Sequence, residues 1–376
     1  MSTVLGSVHA FSVFIPAWEL STSGTRASIS FAYSLALICL TMAVLVGHHI
    51  FRRFSAPVIF TLVGIGSLAG MWLSANSTQV LSIYLTYGCL FGFANGLGYG
   101  YALQLAGQAA DKRHAVSMSL VTAFYAVGAA LAAQLFHQQI QLSGIESALR
   151  TGGLIIAIVC GVAAVACVVS RTSLRLEATG AAATQSNNKR LQIALWLLYG
   201  SSVTAGLMII GHALPVFTAR HPDVSNGALA PVMVALGNII GGLSIGMAAL
   251  RFRNRTLLLL FSGLSLAGLL LVVQTITSQV AITLTGLALI GFSYGAIIAV
   301  FPIVVTDTFG KLSAPRIYGQ IFTAWGLAGL LAPTLSGMLF DRSGTYTLSI
   351  TLALIICVLS IVVLTRLSDK QLSQTS

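Results

Sequence analysis

Two histidines set in apolar surroundings are the residues of this 376-residue chain best placed to do chemistry. His9 opens His9-Ala10-Phe11-Ser12-Val13-Phe14 and His212 opens His212-Ala213-Leu214-Pro215-Val216-Phe217, so the word H-A-x-x-V-F recurs at an offset of 203. An imidazole, with an unperturbed pKa of about 6.5, can hydrogen-bond a carboxylate or carry a proton through a region that has no carboxylate of its own. The competing role is a neutral histidine bonded to a backbone carbonyl at a helix contact. His48, His49, His114, His137 and His221 fall near the ends of apolar runs and read as interfacial. Asn95 and Tyr99, four residues apart, together with Gln104, Tyr125, Asn238 and Tyr294, are uncharged polar groups that could line a binding cavity or bond helix to helix.

The elements that must position these groups follow from composition. Of all residues, 56% are hydrophobic and 7% charged, with a mean hydropathy of +0.93, whereas a soluble domain carries about 25% charged residues. This is an integral membrane protein. Eleven apolar runs have spanning length, near 28–51, 57–75, 79–104, 115–137, 149–170, 191–217, 227–250, 256–277, 279–305, 317–340 and 346–365, and a shorter run covers 3–18. A spanning helix needs about 20 such residues. Membrane strands would alternate apolar and polar residues over about ten positions, but Leu257 to Val273 and Leu352 to Leu364 are apolar on every face. Twelve helices are therefore expected.

With both termini in the cytoplasm, only Arg26, Arg150, Arg220 and Arg342 of the 19 basic residues fall on the outer side. The positive-inside rule thus fixes the orientation, in a bacterial inner membrane, and accounts for the net charge of +11 without nucleic acid. Every Asp, Glu, Lys and Arg lies in a loop or at a helix end, which leaves the bilayer midplane free of fixed charge. The five cysteines show no CxxC or zinc spacing, so neither a disulfide framework nor a metal is indicated, and no cofactor is expected.

Two further words repeat. Gly92-Phe93-Ala94-Asn95-Gly96 matches Gly291-Phe292-Ser293-Tyr294-Gly295 at an offset of 199, and Thr122-Ala123-Phe124 with Gly128 matches Thr323-Ala324-Trp325 with Gly329 at 201. Three matches in one order at nearly one offset indicate a parallel internal repeat. It divides the chain into a six-helix bundle at 1–170, a polar cytoplasmic linker at 171–190 and a second six-helix bundle at 191–376. Two such halves are the plan of major facilitator transporters, in which helices 1 and 7 line a central cavity. The repeat also predicts that the first helix is short: helix 7 starts about 21 residues before His212, whereas eight residues precede His9. A misassigned start or a truncated helix 1 is the expected cause. A signal peptide is the competing reading, but no basic segment precedes the apolar run.

On helix 4, Gly88, Gly92, Gly96 and Gly100 recur every four residues and predict close helix packing. Pro215, Pro302 and Pro333 interrupt helices 7, 10 and 11, and Pro16 lies near the end of helix 1; each is a hinge or a static kink. Asp111 and Arg113 in one cytoplasmic loop correspond to Asp307 and Arg316 in another, and could latch a closed state or simply form solvated loops.

The stretch from Gly291-Phe292-Ser293-Tyr294-Gly295 through Phe301-Pro302, Asp307, Phe309-Gly310, Tyr318-Gly319, Phe322-Thr323-Ala324-Trp325-Gly326, Pro333 and Gly337 to Asp341, Gly344 and Tyr346 resembles the second-half signature of the oxalate/formate antiporter group, bacterial relatives of monocarboxylate transporters. Gly92 to Gly100 and Tyr101 to Arg113 are similar to the first-half signature. Oxalate carriers of that group hold their dianion with an arginine on helix 8 and a lysine on helix 11. Here those positions carry Gly242 and Trp325, and the loop after helix 2 has Phe51 where an acidic residue is usual. By resemblance Trp325 lines the pore; otherwise it fills space between helices.

A dianion in a low-dielectric cavity needs embedded positive charge, and this chain embeds none. The expected function is therefore alternating-access transport of a small monocarboxylate or similar weak acid, by exchange or proton symport. Substrate contacts are expected at His9, His212, Asn95, Tyr99, Tyr294, Trp325, Asn238 and Gln104, with His212 or His9 as proton carrier. The protein is expected to work as a monomer in the lipid bilayer. A larger amphiphile such as a siderophore or drug is the alternative cargo, although helix 5 lacks the glycine-proline motif of typical drug antiporters. An enzyme or receptor is disfavoured, since no HExxH, Ser/Lys dyad, carboxylate pair or soluble sensor domain is present.

Overall fold

The computed structural model describes residues 1–51, 53–107, 113–170, 189–274, 279–309, 314–368 and 371–372. Helices carry nearly all of them, and no strand occurs among the described residues. The chain opens with α1 (Ser2–Leu5), a 3₁₀ segment (Gly6–Val13) and α2 (Ile15–Thr22), followed by α3 (Arg26–Phe51) and α4 (Ala56–Ala75). Next, α5 (Val80–Ile83) runs through a π-helical stretch (Tyr84–Phe91) into α6 (Gly92–Gly107), and α7 (Arg113–Val169) closes the first half. The second half comprises α8 (Lys189–Arg220), α9 (Leu229–Arg251), α10 (Asn254–Val273), α11 (Val280–Phe309), α12 (Ala314–Ser343) and α13 (Thr347–Arg366).

Nine described helices are long and apolar enough to cross a membrane, and the bent pair Ser2–Val13 and Ile15–Thr22 makes a tenth. The count of twelve is completed by α9, whose apolar stretch Leu229–Ile245 is shorter, and by a reversal inside α7. Two local expectations change. The first span is not one short helix but a broken one, bent by 58° before Pro16. The connection expected between residues 137 and 149 is itself helical: Gly144, at φ 80° and ψ 170°, turns the chain in one residue, a conformation that a Cβ would strain.

Glycines let the helices touch backbone to backbone. A Cβ on Gly92 would stand 2.6 Å from Ala36 Cα, and one on Gly96 2.6 Å from Leu40 Cα, so this face of α6 lies against α3. In the second half, Gly291 of α11 abuts the Val234 backbone and Gly295 that of Asn238, both on α9.

The halves meet along an antiparallel seam between α3 and α12. A Cβ at Gly337 would lie 2.8 Å from Ala27 Cα, at Gly329 3.0 Å from Leu37 Cβ, and at Gly326 2.8 Å from Thr41 Cγ2. From Ala27 to Thr41 this seam follows about 21 Å of helix at 1.5 Å per residue. Two turns further along the same face of α12, a Cβ on Gly319 would meet nothing within 4 Å among the described residues. Among the described residues this seam is tightest at the end that carries Arg26, and a second contact between the halves joins α7 to α9.

Candidate functional site

Polar side chains in the middle of the first half form a connected set. Asn95 of α6 donates from Nδ2 to the Leu5 carbonyl at 2.7 Å, and its Oδ1 accepts from Tyr125 Oη at 2.7 Å. Asn95 thus uses both its amide nitrogen and its oxygen in helix-to-helix bonds and ties the first span to α7. The Tyr99 ring packs edge-on to Tyr125 with centroids 5.0 Å apart. His9, on the 3₁₀ segment, lies edge-on to Tyr125 at 5.5 Å, and its Nδ1 is 2.6 Å from Tyr33 Oη of α3. Gln104 is half-buried further along α6.

The second half repeats the device with different residues. Trp325 Nε1 donates to Tyr294 Oη at 2.8 Å, and Phe322 stacks on the indole at 5.3 Å. Tyr125 thus bonds Asn95, and Trp325 bonds Tyr294, between corresponding helices of the two halves. Tyr294 packs on Gly206 of α8, while Asn238 is half-buried where α9 meets Gly295. The halves meet beside these sets, where the 3₁₀ segment that carries His9 packs against α8. A crevice of about 170 Å³ lies elsewhere, beside α7, lined by apolar groups such as Val4, Leu131, Phe136 and Ile156.

The paired histidines of the repeat do not meet. His212 sits at φ −131°, outside helical geometry, three residues before Pro215, whose ring removes a backbone donor and crowds the preceding turn. The imidazole is fully buried; Nδ1 is 3.2 Å from the Met208 carbonyl and Nε2 is 2.8 Å from Ser30 Oγ. His9 and His212 each stand where their helix departs from α geometry, and each bonds α3, at Tyr33 and Ser30.

Just beyond His212 the halves are sealed by charges. The Arg26 guanidinium forms an ion pair with Glu19, with Nη2 donating at 2.7 Å, and also donates to Tyr346 Oη and lies 4.4 Å over the Phe340 ring. Asp341, at the end of α12, accepts from the Arg26 and Ala27 amides at 2.9 and 2.8 Å, capping the first turn of α3. Anions at a helix N-terminus satisfy its orphan N–H groups and complement its dipole. Burial presses the Tyr346 hydroxyl upward in pKa, and Arg26 opposes that shift. Sequence reading left this cluster among solvated outer groups, although the signature residues Asp341 and Tyr346 and the scarcity of outer arginines were the available signals.

At the opposite end Asp307 accepts from Asn254 Nδ2 at 2.9 Å within its own half rather than across the halves. Asp111 and the side chains of Arg113 and Arg316 lie outside the described residues.

Two six-helix bundles, joined at one end by the Arg26 contacts and each carrying a bonded polar set in its middle, have the architecture of a membrane carrier. The chain belongs to the Major Facilitator Superfamily, which it matches over residues 1–333, and it is a transporter rather than an enzyme. It is 23% identical over 340 residues to the uncharacterized MFS-type transporter YhjX of Escherichia coli, covering 87% of this chain and 82% of that one. It is 22% identical over 378 residues to monocarboxylate transporter 12 of Xenopus laevis, covering 92% and 81%. The fold matches a bacterial homolog of the human lysosomal transporter Spinster with a TM-score of 0.65 at 14% identity, covering 97% of this chain and 92% of that one.

Proposed function

We propose that this transporter moves a small monocarboxylate or similar weak acid, with a proton or in exchange, through the space between the two polar sets. The observation that carries the reading is a middle in which Tyr99, Tyr125, Tyr294 and Trp325 are buried or half-buried and no Asp, Glu, Lys or Arg stands among the described residues. Such a lining can hydrogen-bond a single carboxylate and wall it with rings, but it cannot neutralise a dianion. Similarity to a protein named for monocarboxylate transport agrees with this choice. In this reading Tyr99, Tyr294, Trp325, Asn238 and Gln104 contact substrate, Asn95 holds Tyr125 in place, and His9 binds carboxylate beside Tyr33. His212 carries the coupling proton. The functional unit is a monomer with halves at 1–170 and 191–376 joined by 171–190, both termini face the cytoplasm of a bacterial inner membrane, and the sealed Arg26 end faces outward.

Uptake of labelled L-lactate and pyruvate into proteoliposomes, with and without an inwardly directed proton gradient, tests this. The expected result is gradient-stimulated accumulation that His212→Ala abolishes or uncouples without loss of expression. Uptake that ignores the gradient, or survives His212→Ala with its pH response intact, removes His212 from the mechanism.

A further inference from the structure

Ser30 has one hydroxyl proton and two partners. Its Oγ lies 2.6 Å from the Arg26 carbonyl, which can only accept, and 2.8 Å from His212 Nε2. The other ring nitrogen, Nδ1, faces the Met208 carbonyl, which also can only accept, and so carries the hydrogen there. When His212 is neutral, Nε2 must be an acceptor and the Ser30 proton points to it. When His212 gains a proton, Nε2–H donates to Ser30 Oγ and the hydroxyl proton must swing to the Arg26 carbonyl. No covalent bond of Ser30 breaks; only the direction of its hydroxyl reverses.

Arg26 is the residue whose amide, guanidinium and ring contacts close the halves. We infer that Ser30 is the positioning residue that transmits the protonation state of His212 to this closure. The inference rests on the coupling role proposed for His212. Groups facing His212 at this end are Arg26 from α3 and Tyr346 from the α12–α13 turn, with Glu19 and Asp341 behind them. On the inner side stand Tyr33 and His9, and Tyr294 lies against Gly206 of the same helix. An imidazolium here repels the guanidinium, and no carboxylate bonds the ring in compensation. Protonation therefore loosens the Arg26 end and deprotonation seals it, so a proton taken up in the open state is shed when the halves close.

Hydrogen–deuterium exchange of the Arg26 and Ala27 amides, both bonded to Asp341, reads the closure directly and needs no substrate. The protein is placed in lipid nanodiscs and followed from about pH 3.5 to 8, a range that spans the free imidazole value of about 6.5 and extends well below it, with rates corrected for intrinsic pH dependence. The wild type should exchange faster at low pH, by about fivefold or more, the scale of one net hydrogen bond. His212→Gln and Ser30→Ala should both flatten this response while keeping protection at high pH, and Ser30→Thr, which retains the hydroxyl, should restore it. A wild-type response in Ser30→Ala together with a flat His212→Gln overturns the relay alone. A response that persists in His212→Gln overturns the coupling role as well, and a flat wild type overturns the relay outright.

Discussion

His221 shows how a single side chain in this protein earns a pH dependence from its surroundings. It lies just past the end of α8, buried against the molecule, with Nε2 2.9 Å from Thr283 Oγ1. Burial lowers its pKa, and the neighbouring Arg220 lowers it further. The folded state therefore holds the ring neutral while the unfolded chain protonates it near its ordinary value of about 6.5. Stability should be flat above that pH and decline as pH falls below it, until the folded-state ring also protonates. Thermal unfolding in detergent at a series of pH values should show this decline, and His221→Gln should remove part of it; an unchanged slope would mean other groups set it. His212 is a different case, because both ring nitrogens are engaged and one partner, Ser30, can reverse its bond.

Among the helices, packing rests on glycines rather than on apolar burial, since lipid is as apolar as leucine. The α6 face of Gly92 and Gly96 admits no Cβ without displacing α3, whereas a Cβ on Gly263 of α10 would meet nothing within 4 Å. Gly96→Ala should lower the unfolding midpoint sharply or abolish folded yield, with a cost of about 1–3 kcal/mol or more from overpacking. Gly263→Ala should be neutral or slightly stabilising in the same assay, through its better helix propensity. Equal behaviour of the two variants would show that the helix contact yields where the backbone geometry says it cannot.

For the molecule as a whole, the seam between α3 and α12 and its charged clasp join the two halves at the Arg26 end, and a role in opening that end can be tested. Asp341→Asn keeps the shape of the side chain but removes the anion from the first turn of α3. Helix-dipole interactions of this kind are worth about 0.3–1 kcal/mol at exposed sites, enough to raise the open population several-fold without unfolding the protein. Spin labels at the exposed positions 21 and 342 should report a longer inter-label distance in a larger fraction of Asp341→Asn than of wild type; identical distributions would deny the clasp a role. The proposed orientation is checked independently: a fluorescent protein fused to the carboxyl terminus should glow and an alkaline phosphatase fused there should be inactive. Opposite results would invert the membrane topology and put the Arg26 end in the cytoplasm.

Hydropathy, glycine spacing and the positions of arginines and lysines are local properties, so the twelve spans, the parallel repeat and the uncharged middle were legible from the residues in order. Span limits agree closely because desolvating a charge fixes where a membrane helix can end. The Gly144 reversal escaped because one glycine at positive φ replaced the loop that the polar stretch suggested. What His212 bonds to was decided only by the folded chain. Its partner Ser30 is 182 positions away, and Asp341 reaches α3 across 315. No local pattern encodes such pairs; they exist because two bundles pack face to face, and that packing turned residues readable as outer-surface charges into a clasp between the halves.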